Sequence, residues 1–281
     1  EIDQAIANGA YAIVYADDSI IKKDNEIAWI KVADLQLAAF KLIRYVIIKK
    51  EAKFFLLSEH ELTFLKMILV HKGNIKFIAD DWRKAFEQIL NSDCSLFVGA
   101  DKELLELIKP DVPKLKKEVD GYVVSDTLFR TTFKVGGYVY QEKELIPFHT
   151  EYLLRVIDFC NTHELDYSVE RLKYTKHFTP VFIDKNLKST KSSKSDKVAI
   201  FTDNLSDITK AREYVMRSNM WVKSVVMTPP KTKVPGIDHP HWFKTKEELQ
   251  DLLKNIHYNY AFIYNADKSI LNTIQEEYSL F

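Results

Sequence analysis

Ser58-Glu59-His60-Glu61 stands where an apolar run, Lys53 to Leu57, gives way to an amphipathic helical pattern from Leu62 to Leu69. Many α/β enzymes hold a phosphate at such a strand-to-helix junction. That chemistry needs a glycine-rich loop whose backbone N–H groups converge on the anion, usually with a lysine to reach the outer phosphates. This turn has no glycine, no lysine and two carboxylates. His60 between two glutamates has the composition of a general base, and a solvated turn accounts for it equally well. His239-Pro240-His241 offers two imidazoles, but the proline favours extended chain and no third ligand is apparent, so it reads as a surface loop. Asp17-Asp18 and Asp80-Asp81 are acidic pairs suited to magnesium, for which turn and helix-cap chemistry is the simpler account. Tyr138, Tyr140, Phe148 and Tyr152 lie in and just after a β-rich stretch. Aromatics usually fill a core, yet exposed tyrosines on such a segment also build a protein-binding surface.

The elements around these residues follow from hydrophobic period and punctuation. "EIDQAIANGA" predicts a helix stopped at Gly9, followed by a strand from Tyr11 to Tyr15. "AWIKV" is a second strand, and Asp34 caps a helix whose stripe is Leu35, Ala38, Ala39, Leu42, Ile43 and Val46. Next come a strand at Lys53 to Leu57, helices at Leu62 to Leu69 and Asp81 to Leu90, the buried strand "CSLFVGA" and the helix "DKELLELIKP". Strands alternating with helices predict a mainly parallel sheet. From Gly121 to Tyr140 the pattern turns β-rich with a Gly136-Gly137 turn, predicting one or two hairpins, and "HTEYLLRVIDFCNTHEL" is the helix that follows.

Asp184 to Lys197, "DKNLKSTKSSKSDK", has no apolar period and reads as a flexible linker, with a basic anion-binding loop as the functional alternative. Beyond it, "KVAIFT", "WVKSVVMT" and "YAFIY" are strands. They alternate with a helix that Ser206 can cap, a helix opened by the Thr245–Glu248 capping box, and a terminal helix "KSILNTIQEEY". That alternation is a Rossmann-like unit. The expected domains are a small α/β unit at 1–50, a central domain at 51–184, a linker at 185–197 and a C-terminal Rossmann-like domain at 198–281.

A chain of 281 residues that is 46% hydrophobic can bury two or three cores. Forty basic residues balance forty acidic ones, so no global field draws the chain to nucleic acid or an anionic membrane. No apolar run reaches the ~20 residues of a membrane span. Cys94 and Cys160 lie in apolar contexts without metal-type spacing and fit buried free thiols in a reducing cytoplasm. Glu1 falls straight into a helical pattern, which suggests further residues upstream.

Three long stretches carry a family resemblance. "IDQAIANGAYAIVYADDS…AWIKVADLQLAAFKLIRYV" resembles the end of the N-terminal domain of the ATP-dependent Mur ligases of peptidoglycan synthesis. "LIPFHTEYLLRVIDFCNTHELDYSVERLKYTKHFTPVF" is similar to a later part of those enzymes. "HWFKTKEELQDLLKNIHYNYAFIYNADKSILNTI" is similar to the end of their C-terminal domain, especially in the branch that adds D-alanyl-D-alanine. The resemblance implies a multi-domain α/β fold with a shortened central domain.

It also implies that the ligase chemistry is lost. On the family's ATP loop, "TGSNGKTTTKEML", the glycines fall on Ser58 and Glu61 and the lysine on Leu62, while Thr63 and Lys66 keep family residue types. Leu62 cannot neutralise phosphate, and the neighbouring carboxylates repel it. The magnesium-binding glutamate falls on Phe97, a glycine-arginine pair on Ile183 and Asp184, and "KGSR" on Tyr264, Asn265, Ala266 and Asp267. Between Pro110 and Leu145 the threonine-asparagine-histidine segment and the lysine that becomes carbamylated have no counterpart. No cofactor, metal or catalytic residue is expected, and the implied role is binding a cell-wall enzyme, a scaffold protein or a peptidoglycan precursor. A divergent ligase or other transferase is the alternative. An unrelated α/β chain would lack the family's arrangement of central and C-terminal domains.

Overall fold

The structure, a computed structural model, describes residues 2–71, 73–191, 195, 197–218 and 221–271. Its contacts divide into two compact units, Glu1–Leu62 with His71–Leu115, and Thr63–Val70 with Lys116–Phe281.

In the first unit, α1 (Ile2–Ala7) is followed by Gly9 at φ +84°, a left-handed conformation that glycine adopts without strain. β1 (Ala12–Tyr15) pairs in parallel with β2 (Ala28–Lys31). Asp34 then caps α2 (Leu35–Lys49), its side chain accepting from the Leu37 N–H at 3.0 Å. α2 buries Phe40, Ile43 and Ile47, three positions on one helical face, in a core shared with Phe54, Ala85, Ile89, Phe97 and Leu104. That core surrounds a three-stranded sheet of β3 (Lys53–Leu56), β4 (Lys76–Phe77) and β5 (Leu96–Gly99) in the order β3-β5-β4, all parallel. α3 (Glu59–Ile68) follows β3, its first turn counted in this unit and its residues from Thr63 on in the second, and it starts three residues before the apolar stripe that predicted it. α4 (Trp82–Leu90) and α5 (Lys102–Ile108) are capped by Asp81 and Asp101. The Lys50 ammonium donates to the carbonyls of Ile89, Leu90 and Ser92 at 3.1, 3.1 and 2.8 Å, closing the C-terminal end of α4.

The second unit contains an antiparallel meander of β6 (Gly121–Asp126), β7 (Thr131–Val135) and β8 (Tyr138–Lys143). Gly136 and Gly137, at φ +55° and +86°, form the two-residue turn between the last two strands, where a side chain would be strained. α6 (Thr150–Thr162) buries Leu153, Val156, Ile157 and Cys160.

A five-stranded sheet follows, built from β9 (Thr179–Ile183), β10 (Lys197–Thr202), β11 (Ser224–Thr228), β12 (His241–Trp242) and β13 (Tyr260–Tyr264). Its order is β12-β11-β13-β10-β9, parallel except for β9. α7 (Leu205–Ser218) and α8 (Lys246–Asn255) complete the unit. Val198, Ile200 and Phe262 of the sheet pack with Ile208, Ala211 and Val215 of α7. Ala199, Phe201 and Ile263 pack with Leu249 and Leu253 of α8.

Several local readings differ from the sequence expectation, among them the two-residue β4, which it did not contain. β9 was not foreseen; Pro180 within it is tolerated because β9 is an edge strand, where a missing N–H breaks no second ladder. α7 starts at Leu205 with Asn204, not Ser206, accepting from the Ser206 N–H at 2.9 Å. His241 pairs with Met227 as part of a short edge strand instead of lying in an unpaired loop. Finally, residues 184–190 turn back on β9: Asp184 accepts from the N–H groups of Asn186 and Lys188, Thr190 bonds Phe182, and Leu187 is 2% exposed. The apolar Leu187 and the aspartate turn order the start of the stretch read as linker. The expected terminal helix, 268–278, opens with a 3-10 turn at Lys268–Ile270, and its remainder, 272–278, lies outside the described residues.

Candidate functional site

The strand-to-helix turn at Ser58–Glu61 is a reciprocal helix cap. Glu61 Oε2 accepts from the Ser58 N–H at 2.7 Å, and Ser58 Oγ accepts from the Glu61 N–H at 3.3 Å. This is the serine-x-x-glutamate capping box, and it places a carboxylate on one of the N–H groups that a phosphate cradle would leave open. Glu61 is buried, so the carboxylate is part of the packed structure and not a solvated neighbour. Leu62 is half-buried and brings no charge. The Thr63 hydroxyl lies 3.1 Å from His177 Nε2.

Of the other positions expected to have lost ligase chemistry, Phe97, Ile183, Asp184 and Tyr264 take part in packing, a turn and a strand end. Phe97 is fully buried on β5 and stacks on Phe54 with ring centroids 4.9 Å apart. Ile183 is buried, and the Asp184 carboxylate holds the turn described above. Tyr264 ends β13, and Asn265 follows at φ +54°.

Asn265, Ala266 and Asp267 do line a cavity of about 520 Å³ at the carboxyl ends of β10 and β13, with Thr202, Asp203, Lys176 and Lys268. Ligands of open α/β sheets bind at such strand ends. His177 Nδ1 lies 2.6 Å from Asp203 Oδ1 at the rim, so Thr63, His177 and Asp203 form one hydrogen-bonded chain. Tyr174 on the wall donates to the Phe129 carbonyl at 2.7 Å. Burial, helped by the Glu144 charge, pushes its phenol up to about 12, so it stays a neutral donor at physiological pH. Asp267 is held below the usual carboxylate range by the Ser269 N–H that it accepts. The cavity thus offers both signs of charge and an amide.

The four aromatics singled out by type fall in two places. Tyr138 is exposed on β8, whereas Tyr140 on the same strand is half-buried and stacks on Phe133 at 5.2 Å. Phe148 and Tyr152 flank His149, each edge-on to its ring, and Arg155 lies 4.9 Å over Tyr152. His149 itself is buried, with Nε2 2.8 Å from Asp207 Oδ2 at the start of α7.

No family model and no curated protein matches the chain. Solved structures do. The MurF ligase of Thermotoga maritima in complex with ADP superposes with a TM-score of 0.52 at 10% identity, over 96% of this chain and 88% of that one. MurF of Acinetobacter baumannii gives 0.51 at 14%, over 96% and 84%. The chain has a Mur-ligase-like fold. At these identities the likeness concerns the fold alone.

Within this Mur-ligase-like chain, His177 and Asp203 were missed by residue type and spacing. They are 26 residues apart and meet only because β9 and β10 pair. The legible signals were an aspartate directly after a buried strand and a lysine-histidine pair just before a proline-bearing one.

Proposed function

We propose that this is a catalytically degenerate Mur-ligase-like protein that acts by binding, as a scaffold or regulator tied to peptidoglycan synthesis or cell shape, in the cytoplasm. The observation that carries this reading is the Glu61 carboxylate on the Ser58 N–H at 2.7 Å. A triphosphate there would have to displace a buried anion, and Leu62 offers no counter-charge once it had. The reading is consistent with free thiols at Cys94 and Cys160 and with the absence, among the described residues, of any helix long and apolar enough to cross a membrane. Its partner is a protein of cell-wall synthesis or a peptidoglycan precursor.

Calorimetric titration tests it, with magnesium ATP and a UDP-muramoyl-peptide added separately. The expected result is no ATP heat at millimolar concentration, and micromolar ATP binding overturns the reading. A second reading, a divergent ligase or other transferase, draws on the 520 Å³ cavity and its His177–Asp203 pair. It requires ATP hydrolysis or a nucleotide-dependent rise in melting temperature.

A further inference from the structure

We propose that the cavity at the carboxyl ends of β10 and β13, continued by a second hollow along β9, is a trench for a neutral oligosaccharide. The proposal rests on the binding reading above in treating this cavity as a place of recognition and not of ligation.

Two hollows of the second unit lie side by side. The first, of about 520 Å³, is the one already described. The second, of about 630 Å³, runs over β9 and the turn that follows it, with Val181, Phe182, Ser189 and Thr190 in its walls. Tyr174, Thr179, Asp267 and Lys268 belong to both, which makes the hollows parts of one trench. Each alone has the volume of a small-ligand site, and the pair has room for a ligand of several linked rings.

The charges in the trench cancel. Lys176 and Lys268 accompany Asp203 and Asp267 in the first hollow, and Lys173 and Lys268 accompany Glu144 and Asp267 in the second. A charged ligand therefore gains no net attraction and gives up its hydration. A ligand hydroxyl suits both kinds of neighbour, because it donates to a carboxylate and accepts from an ammonium. Other groups extend this pattern. His177 Nδ1, at 2.6 Å, holds the Asp203 carboxylate in place. Thr179 Oγ1 donates to the Thr175 carbonyl at 2.8 Å, which leaves that oxygen as an acceptor. Asn265 is exposed, and its side-chain amide makes no hydrogen bond among the described residues, so it presents a donor and an acceptor together.

Apolar ring faces have a counterpart too. Tyr174 and Phe182 are half-buried in the walls, and both are held from behind by Phe129. The Tyr174 hydroxyl donates to the Phe129 carbonyl at 2.7 Å, and the Phe182 ring packs edge-on to the Phe129 ring at 5.3 Å. Fixed aromatic rings among polar groups match a pyranose, which has apolar C–H faces and a hydroxylated rim. A zwitterionic dipeptide satisfies the paired charges and leaves the aromatic walls unused.

The test is an NMR titration of the ¹⁵N-labelled protein, without nucleotide, against the neutral tetrasaccharides cellotetraose, maltotetraose and N-acetylated chitotetraose. At least one is expected to shift the amides of Thr202, Asp203, Asn265 and Ser269 together with those of Phe182, Ser189 and Thr190. Its monosaccharide is expected to bind about tenfold more weakly, because it fills one hollow only. Asn265→Gly removes the amide and keeps the backbone at φ +54°, which glycine adopts without strain. It is expected to weaken binding about fivefold, with the remainder of the free spectrum unchanged. The proposal fails if no neutral tetrasaccharide gives shifts at about 5 mM, beyond the millimolar end of specific binding. It fails equally if the shifts map elsewhere or if Asn265→Gly binds like the parent. Tetragalacturonate, deacetylated chitotetraose or glycylglycine binding as tightly as the neutral sugars also overturns it. None of these outcomes bears on the ATP titration, so the two readings fail separately.

Discussion

Replacing Glu61 by alanine isolates the feature on which the functional reading depends. The substitution removes a buried carboxylate that accepts the Ser58 N–H at 2.7 Å, and it leaves that donor without its partner. Loss of a helix-capping side chain costs about 1 kcal/mol. A charge-assisted bond raises that figure, and a carboxylate in the first turn of α3 adds a few tenths through the helix dipole. The expected loss is about 2 kcal/mol. Ser58→Ala removes only the longer bond at 3.3 Å and should cost about half as much. Because the two bonds are reciprocal, the double variant should be less destabilised than the two singles added together.

Urea unfolding followed by tryptophan emission measures this, since Trp82 packs against the core that contains β3. With two compact units the transition need not be two-state, so exchange of the Ser58 amide supplies a local check. Glu61→Ala should speed that exchange and still bind no ATP, because Leu62 supplies no cation. A variant within about 0.3 kcal/mol of the parent, the scatter expected for independent sites, would refute the cap. Acquired ATP binding would refute the argument from lost counter-charge.

Three further outcomes are expected. Burial pushes the Cys160 thiol up to about 12, so at pH 8 a thiol reagent should modify half-buried Cys94 first and reach Cys160 only on unfolding. Burial raises the phenols of Tyr174 and Tyr214 to about 12, above the ordinary tyrosine value of about 10. Folding therefore holds protons that the unfolded chain releases. This contribution is intact below pH 10 and disappears as pH rises towards 12, which absorbance at the phenolate band against melting temperature would follow. Lys50→Met strips the cation from three carbonyls at the end of α4 and should destabilise the first unit by about 1–3 kcal/mol, read by the same tryptophan emission.

What could be read from the sequence follows a physical dividing line. β10 and β13 match "KVAIFT" and "YAFIY" residue for residue, because strands buried on both faces appear as unbroken apolar runs bounded by polar residues. Helices with aspartate caps were equally legible, since the cap and the stripe are local. β9 was hidden by Pro180, and β4 and β12, of two residues each, are too short to carry a period. The His177–Asp203 pair and the hollows beside β9, β10 and β13 depend on which strands and helices become neighbours, information that no local pattern contains.

The Ser58–Glu61 turn belongs on the local side of that line, yet its reading as a solvated turn missed the cap, and His60 and Glu61 are each only 6% exposed. The turn has the same serine/threonine-x-x-glutamate spacing as Thr245–Glu248, where Thr245 Oγ1 accepts the Glu248 N–H at 3.2 Å. Against a phosphate loop, Glu61 registers only as repulsion. As a cap, it is an attraction that the fold uses, and the two descriptions concern one charge at one helix N-terminus. An N-terminus stabilised by an internal carboxylate has no remaining need for an external anion.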